Sequence, residues 1–461
     1  MTLEHYVLPE MAHATLVERV IALFDQAIKT RRLSPGHRVP SIRKLAGELA
    51  ISPFTVTDAY QRLVARGLLE SRRGSGYFVA GGRPVSTPAD PPPVRELAID
   101  AYWLSRNVYE SGDMLLPVGG GWLPSSWFEA VPLARALRAL ARDGMPTTRY
   151  GQPQGWLPLR EHIADRLGDA EITASPRDIV LTHGASQAID LAAAVLARPG
   201  DTVLVDDPGY CNLISCLQLR GLNVIGAPWT PQGPDLAELA RLAALHRPRA
   251  FFTNPWLQNP TGCSYTPATA FGVLRLAGEF DFTVVEDNVS ADFVSGRQTA
   301  LAAQGGLGRV MYIGSFSKTL SPALRVGFVA TDRARADELA HVKMITGLTS
   351  SEYGERMVLS LLEDGSARRQ IERLRARLAE AQPRARARLE AAGYECFGSE
   401  SGGMFIWARR PGHDPVARAE HAGRAGVLLA PGRLFRPGQT GSEWLRFNAA
   451  YCLDARLDGV L

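Results

Sequence analysis

The sequence predicts an α/β chain in two parts: a small helix-turn-helix with a β-wing at the N-terminus, and a large body built on a mostly parallel sheet covered by helices. Three observations predict this. Residues 15–80 hold three short helical patterns followed by two short strand patterns. Residues 81–96, GGRPVSTPADPPPVRE, are rich in Pro, Gly and Ser and have no period, as a linker does. Beyond them, short apolar runs alternate with helical stretches, and each run ends at Gly, Pro, Asn or Asp. At 461 residues the chain is too long for one ordinary domain.

Hydrophobic residues make up 46% of the chain and charged residues 21%, which are globular values. The net charge is only +4, and it is unevenly placed. Residues 1–80 hold eleven Lys/Arg against seven Asp/Glu, so the whole excess is N-terminal and an anionic partner is expected there. The five cysteines, Cys211, Cys216, Cys263, Cys396 and Cys452, form no CxxC, so neither a disulfide framework nor a metal site is expected, and a reducing cytoplasm fits. No basic-then-apolar leader is legible at the start, and no apolar run approaches the roughly 20 residues of a membrane helix.

In the N-terminal part, Thr15 and Glu18 form a capping box ahead of Leu16, Val20, Leu23 and Ala27 at helical spacing. Leu33-Ser34-Pro35-Gly36 is a turn. Ser41 can cap a second helix with Ile42, Leu45, Ala46 and Leu49 on one face. Ser52 can cap a third, with Pro53 in the favoured first position and Val56, Tyr60, Leu63 and Val64 facing inward. Gly67-Leu68-Leu69, the tip Arg72-Arg73-Gly74-Ser75-Gly76, and Tyr77-Phe78-Val79 then read as a wing with a basic tip. Through LSPGHRVPSIRKLA (33–46), SPFTVTDAYQRL (52–63) and GLLESRRGSGYFV (67–79), residues 15–80 resemble the winged helix-turn-helix of GntR-type transcription regulators. The resemblance implies contacts to double-stranded DNA from Arg43, from Ser52, Phe54, Thr55 and Thr57 at the start of the recognition helix, and from Arg73 and Gly74 in the wing. An arginine that can meet phosphate or guanine, and a helix N-terminus offered to the major groove, suit that role. The family often places arginine after the capping residue where this chain has Pro53, so the operator is expected to differ.

The linker, with Pro91-Pro92-Pro93, favours an extended form that spans on the order of 40 Å. In the body, strands are expected at 178–182, 202–205, 223–226, 250–253, 282–286 and 310–313. A helix is expected from about Ala188 to Leu196 after the turn Gly184-Ala185-Ser186-Gln187, with Gly314 and Ser315 turning the chain after the last strand. A strand, a glycine turn and a helix N-terminus can bind phosphate.

Residues 315–325, SFSKTLSPALR, place Lys318 among Ser315, Ser317 and Thr319, with Arg325 seven residues on. A lysine at the end of a buried strand loses its proton readily and can form a Schiff base with an aldehyde. Hydroxyls and a guanidinium suit a phosphate. Together these point to pyridoxal 5'-phosphate, although the stretch alone also reads as a solvated loop. The residues at the other strand ends complete a set: Asp287 under a pyridinium nitrogen, Asn259 toward a ring hydroxyl, Tyr210 on a ring face, and Gly184, Ala185, Ser186, Ser315, Ser317 and Arg325 around a phosphate.

Through RYGQPQG (149–155), HGASQA (183–188), DDPGY (206–210), QNPTG (258–262), EDN (286–288), SFSKTLSPALR and WLRFN (444–448), residues 110–461 resemble fold-type I pyridoxal-phosphate enzymes of the aspartate-aminotransferase superfamily. That resemblance implies Lys318 as the catalytic, cofactor-bearing residue and Arg446 as the grip on a substrate or effector carboxylate. It also implies that Tyr150 reaches the phosphate of a partner subunit in a homodimer. The joint architecture resembles the MocR family of regulators. Two departures stand out: Ser290 occupies the slot where relatives carry a tyrosine bonded to the ring hydroxyl, and Leu257 stands where related regulators often have histidine.

The expected domains are therefore 1–80 (DNA-binding), 81–96 (linker) and 97–461 (aminotransferase-like), the last with a large part at about 150–350 and a small part at about 351–461 with 97–149. The leading functional expectation is a cytoplasmic transcription regulator sensing the cofactor, or a small amine or amino acid, through an aldimine at Lys318. A working aminotransferase with an accessory DNA-binding head and a protein with a vestigial site are the alternatives. The arginine-dense stretch 366–390 is expected to be one amphipathic helix with solvated arginines.

Overall fold

The computed structural model describes residues 8–9, 14–30, 32–72, 75–80, 104, 115–128, 131–143, 150–294, 296, 299–398 and 402–461. It divides into two compact units, Met1–Glu96 and Leu97–Leu461. The linker 81–96 and the wing-tip residues Arg73 and Gly74 lie outside the described residues.

The first unit contains α1 (Leu16–Lys29), α2 (Ile42–Leu49), α3 (Pro53–Ala65), β1 (Leu69–Arg72) and β2 (Gly76–Val79). The capping expectations hold. Thr15 and Glu18 form a reciprocal box, Ser41 accepts from Lys44 N, and Ser52 accepts from Phe54 N ahead of Pro53. Val20, Phe24, Leu45, Val56, Ala59, Tyr60 and Leu63 share one core with Leu69 and Val79 of the wing. Tyr60 is fully buried there, and its hydroxyl donates to Pro40 O at 2.9 Å. β1 and β2 pair antiparallel, and Arg38 adds a single antiparallel bridge to Phe78 on the outer side of β2.

The second unit runs through α4 (Leu133–Asp143), α5 (Leu157–Asp169), β3 (Ile179–Thr182), α6 (Gly184–Leu196), β4 (Thr202–Asp207), α7 (Cys211–Leu219), β5 (Asn223–Thr230) and β6 (Gly233–Pro234). It continues with α8 (Leu236–His246), β7 (Ala250–Thr253), α9 (Pro267–Glu279), β8 (Thr283–Asp287), α10 (Leu301–Gly305), β9 (Val310–Ser315), β10 (Gly327–Ala330), α11 (Arg333–Gly347) and α12 (Glu352–Glu363). The last elements are α13 (Ser366–Ala391), β11 (Glu395–Cys396), β12 (Phe405–Arg409), α14 (Pro415–Arg424), β13 (Ala430–Pro431) and β14 (Trp444–Asn448).

The large sheet has the order β3-β10-β9-β8-β7-β4-β5-β6. The pairs from β9 through β8, β7 and β4 to β5 are parallel, while β10 runs antiparallel to both β3 and β9. The two faces feed different cores, as period-2 alternation requires. Ile179, Leu181 and Val284 point into one cluster with α5, α9 and α12, and Val180 and Val285 into another with α6, α7 and α11. A smaller antiparallel sheet, β11-β12-β14-β13, packs with the C-terminal part of α13, α14 and the segment carrying Leu116 and Val118.

Three sequence expectations are corrected. Gly314 and Ser315 belong to β9, because both pair with β10, and Phe328 occupies the space a Gly314 side chain would need. Helix α6 starts at Gly184, so Ala185, Ser186 and Gln187 are its first turn. Gln187 Oε1 turns back to accept from His183 N at 2.8 Å. The arginines of α13 are not all solvated: Arg375 donates to Asp292 O, Arg386 to Gly398 O and Arg388 to Cys452 O, which straps the helix to the rest of the body.

Candidate functional site

In the body, the ends of β3, β4, β7, β8 and β9 converge. Lys318 follows β9 and is half-buried, and its Nζ donates to Gly121 O. Burial, with Arg446 next, lowers its pKa from 10.5 to about 8, and the nearby Asp287 charge opposes the shift. Asp287 ends β8, is 4% exposed, and accepts one long bond from Val289 N at 3.4 Å. Burial pushes its carboxyl up to about 6, against the pull of that bond and of Lys318.

At the end of β3, the N-terminus of α6 forms a cup. Arg325 Nη2 donates to His183 O at 2.9 Å and Nη1 to Ser317 Oγ at 3.4 Å, and Ser315 Oγ accepts from Ser317 N at 3.2 Å. Gly184 has φ +75°, and a Cβ there would lie 2.7 Å from Arg325 Nη2. Glycine is thus needed twice, for the backbone and for the guanidinium. The amides of Ala185 and Ser186 lie in the first turn of α6, where backbone N–H groups have no partner inside the helix.

Arg446, on β14, is 2% exposed. Its Nη1 donates to Asn259 Oδ1 at 2.8 Å and its Nε to Gly119 O at 3.2 Å, and its guanidinium lies between the rings of Phe405 and Phe435, 4.7 and 4.6 Å from their centroids. Burial lowers its pKa to about 10. Tyr210 caps α7 at the end of β4 and is half-buried. Tyr150 stands apart, 78% exposed. Ser290 is buried beside the end of β8, and Leu257, at φ +48°, packs its side chain into an apolar cluster with Leu123, Phe293 and Phe405.

Sequence reasoning missed the lattice that holds these strand ends together. Asn254 N donates to Asp206 Oδ2 (2.9 Å), its Nδ2 donates to Asp287 O (2.6 Å), and its Oδ1 accepts from Asn259 N (2.9 Å). Gln258 Nε2 donates to Pro208 O at 2.7 Å. One asparagine thereby fixes β4, β7 and β8 relative to each other. The only signal was a pair of amides in a turn, which reads as loop chemistry. A cavity of about 760 Å³ opens beside Lys318, lined by Trp122, Trp127, Phe128 and Tyr451 among others.

In the head, Arg43 is exposed in the first turn of α2 and Phe54 is 81% exposed at the start of α3. Ser52 Oγ is occupied as the cap, Thr57 Oγ1 donates to Pro53 O at 2.8 Å, and Thr55 is half-buried. Aromatic Phe54 therefore stands outward in the first turn of α3.

A winged helix-turn-helix joined in one chain to an aminotransferase fold is the class of protein that these two sites define. Residues 111–461 match the family "Aminotransferase class I and II", and residues 16–79 match "Bacterial regulatory proteins, gntR family". The chain belongs to the aminotransferase class I and II family and, with its gntR head, has the architecture of MocR-type regulators. The uncharacterized HTH-type transcriptional regulator YdcR of Escherichia coli K12 is 30% identical over 90% of this chain and 91% of its own length. The probable rhizopine catabolism regulatory protein MocR of Rhizobium meliloti is 28% identical over 80% of this chain and 75% of its own. Among solved structures, the α-aminoadipate aminotransferase LysN of Thermus thermophilus, complexed with N-(5'-phosphopyridoxyl)-L-leucine, aligns with TM-score 0.68 and 28% identity. That alignment covers 75% of this chain and 89% of LysN.

The family implies pyridoxal 5'-phosphate as cofactor. The residues fit it. Asp287 is a buried acid with a single weak donor among the described residues, and Gly184 leaves the space in which Arg325 can face an anion at a helix N-terminus. Among the described residues no cluster of metal-ligating side chains occurs, and no helix is long and apolar enough to cross a membrane.

Proposed function

We propose that the protein is a DNA-binding transcription regulator whose aminotransferase-like body senses pyridoxal phosphate or an amine competing at Lys318. In this reading residues 1–80 bind DNA, 81–96 link, and 97–461 hold the cofactor. The observation that carries it is the joining of a gntR head to an aminotransferase body in one chain, with similarity to an HTH-type regulator across both parts.

When bound, the cofactor supplies an aldehyde that can exchange between the lysine and a free amine. Lys318, with its pKa lowered to about 8, offers an unprotonated amine more readily than a surface lysine. Asp287 would keep a ring nitrogen protonated, Asn259 would face a ring hydroxyl and Tyr210 a ring face. Arg325, Ser315, Ser317 and the first amides of α6 would hold the phosphate. Arg446 would take an effector carboxylate by exchanging its bond to Gly119 O, since a guanidinium pairs best with a two-oxygen partner. Tyr150, exposed in one subunit, would reach the phosphate of the second in a homodimer. The head's DNA contacts would come from Arg43, Ser52, Phe54, Thr55, Thr57, Arg73 and Gly74. Ligand binding would alter DNA binding only through a difference in affinity for two states of the body.

A working aminotransferase is the second reading, favoured by the complete Lys318, Asp287, Asn259 and Arg446 set and by 31% identity to a 2-aminoadipate transaminase of Thermus thermophilus over 80% of that enzyme. A steady-state assay with amino acids and a keto-acid acceptor separates the two. The regulator reading expects negligible turnover together with amine-dependent DNA binding, and robust turnover without any effect on DNA would overturn it.

A further inference from the structure

Arg38 lies in the turn between α1 and α2, far from the wing in sequence, yet the fold makes it part of the wing. Its backbone bridges Phe78 on the outer side of β2, so Glu70, Phe78 and Arg38 lie in one row across the strands. Arg72 and Gly76 form the next row, at the tip end of the hairpin. Side chains in both rows share a face by the period-2 rule. The opposite face carries Leu69 and Val79 into the head's core, so the face with Arg38 is the solvent face.

The charges on that face do not cancel. Arg72 donates to Glu70 through Nε at 3.0 Å and stacks 4.4 Å over Phe78. Arg38 is exposed and has no carboxylate within salt-bridge distance among the described residues. Two cations on the head's helices, Lys29 with Asp25 and Arg62 with Asp58, are matched by their own helix neighbours. The Arg38 guanidinium lies against Gly76, where Nε and Nη2 are both 3.6 Å from the place a Cβ would take. Gly76, at φ +100°, leaves the guanidinium room at the base of the wing tip.

We propose that Arg38 is a phosphate-backbone contact of the wing, binding one DNA phosphate beside the tip and carrying no sequence preference. This rests on the DNA-binding reading of the head and adds a contact outside its helices. A cation without a carboxylate partner among the described residues, on a face whose neighbouring arginine is already paired, is the group whose counterion DNA would replace. The edge it presents donates to oxygen, which is how backbone contacts set register without reading sequence.

The test uses the full-length protein and a labelled random-sequence duplex, with affinity followed by fluorescence anisotropy over a salt series. Wild type, Arg38→Ala, Arg38→Lys and Arg72→Ala are compared. The expected result for Arg38→Ala is several-fold weaker binding and a salt slope shallower by about 1. Arg38→Lys restores most of the slope, because a point charge also meets a phosphate. Arg72→Ala changes the slope less, since Glu70 already holds that charge. Circular dichroism of each variant confirms an intact fold. An unchanged slope in Arg38→Ala overturns the proposal, as does an equal loss in Arg72→Ala. If wild type shows no salt-dependent binding to any duplex, it is the DNA-binding reading that fails.

Discussion

Replacing Gly184 by alanine perturbs the proposed phosphate cup at one atom. The cost has two separable parts. The backbone at φ +75° is left-handed, and an L side chain there costs about 1–2 kcal/mol of fold stability. The new methyl would also sit 2.7 Å from Arg325 Nη2, inside contact distance, so the guanidinium must shift, and its bond to His183 O is expected to be lost. Losing one charged donor to a phosphate weakens cofactor binding by about 10- to 100-fold. Spectral titration of the cofactor-free protein with pyridoxal phosphate measures the affinity, and urea denaturation measures the stability. Arg325→Ala should lose a similar affinity without the backbone cost. The double variant should bind the cofactor no worse than Arg325→Ala alone, because both changes remove the same contact. Additive losses in affinity would refute the link from Gly184 to Arg325.

Other outcomes follow from single sites. Burial pushes Asp206 and Glu286 up to about 7 and Asp287 up to about 6, above the ordinary 3.8 to 4.5. The folded state therefore keeps protons that the unfolded chain has released, and stability from these groups is lost as pH rises from about 4 to about 7. Urea melts of the cofactor-free protein across that range should show it, and Asp206→Asn should flatten the slope. Lys318 and Lys343, lowered to about 8 from 10.5, act in a separate window: the unfolded chain holds protons longer, so their stability term improves as pH rises from about 8 toward 10.5. Tyr60→Phe removes the 2.9 Å bond to Pro40 O and should cost about 1 kcal/mol, read as faster hydrogen exchange in α2 and α3 of the full chain. Phe54→Ala, at an 81% exposed position, should leave stability unchanged and relax base preference without changing the salt slope.

Much of the candidate site was legible because a parallel sheet gathers side chains at strand ends, and the sequence marks those ends with Asp, Asn, Gly and Pro. Lys318, Asp287 and Asn259 could be picked out from such marks, whereas Arg446, inside an antiparallel strand of the small sheet, was reached only through the resemblance carried by WLRFN. The head was legible through its caps, since Thr15, Ser41 and Ser52 each precede an apolar period. Three features were not. β10 is four residues long and antiparallel, and it follows β9 without an intervening α-helix, so the alternation of strand and helix gives no sign of it. Asn254 bonds to β4 and β8 across gaps of 48 and 33 residues, and no local pattern encodes partners so far apart. Arg38 joins the wing through a bridge to Phe78, a pairing that only the folded head creates.

The central claim is that the body's cofactor site governs the head. The most direct measurement is the affinity of the full-length, cofactor-loaded protein for DNA from its own upstream region, titrated with amines including taurine, γ-aminobutyrate and common amino acids, for wild type and Lys318→Ala. If the claim holds, at least one amine shifts wild-type DNA affinity, and Lys318→Ala abolishes the shift while still binding DNA. A wild type whose DNA affinity ignores both cofactor and amines, or a Lys318→Ala variant that responds as wild type does, would contradict it.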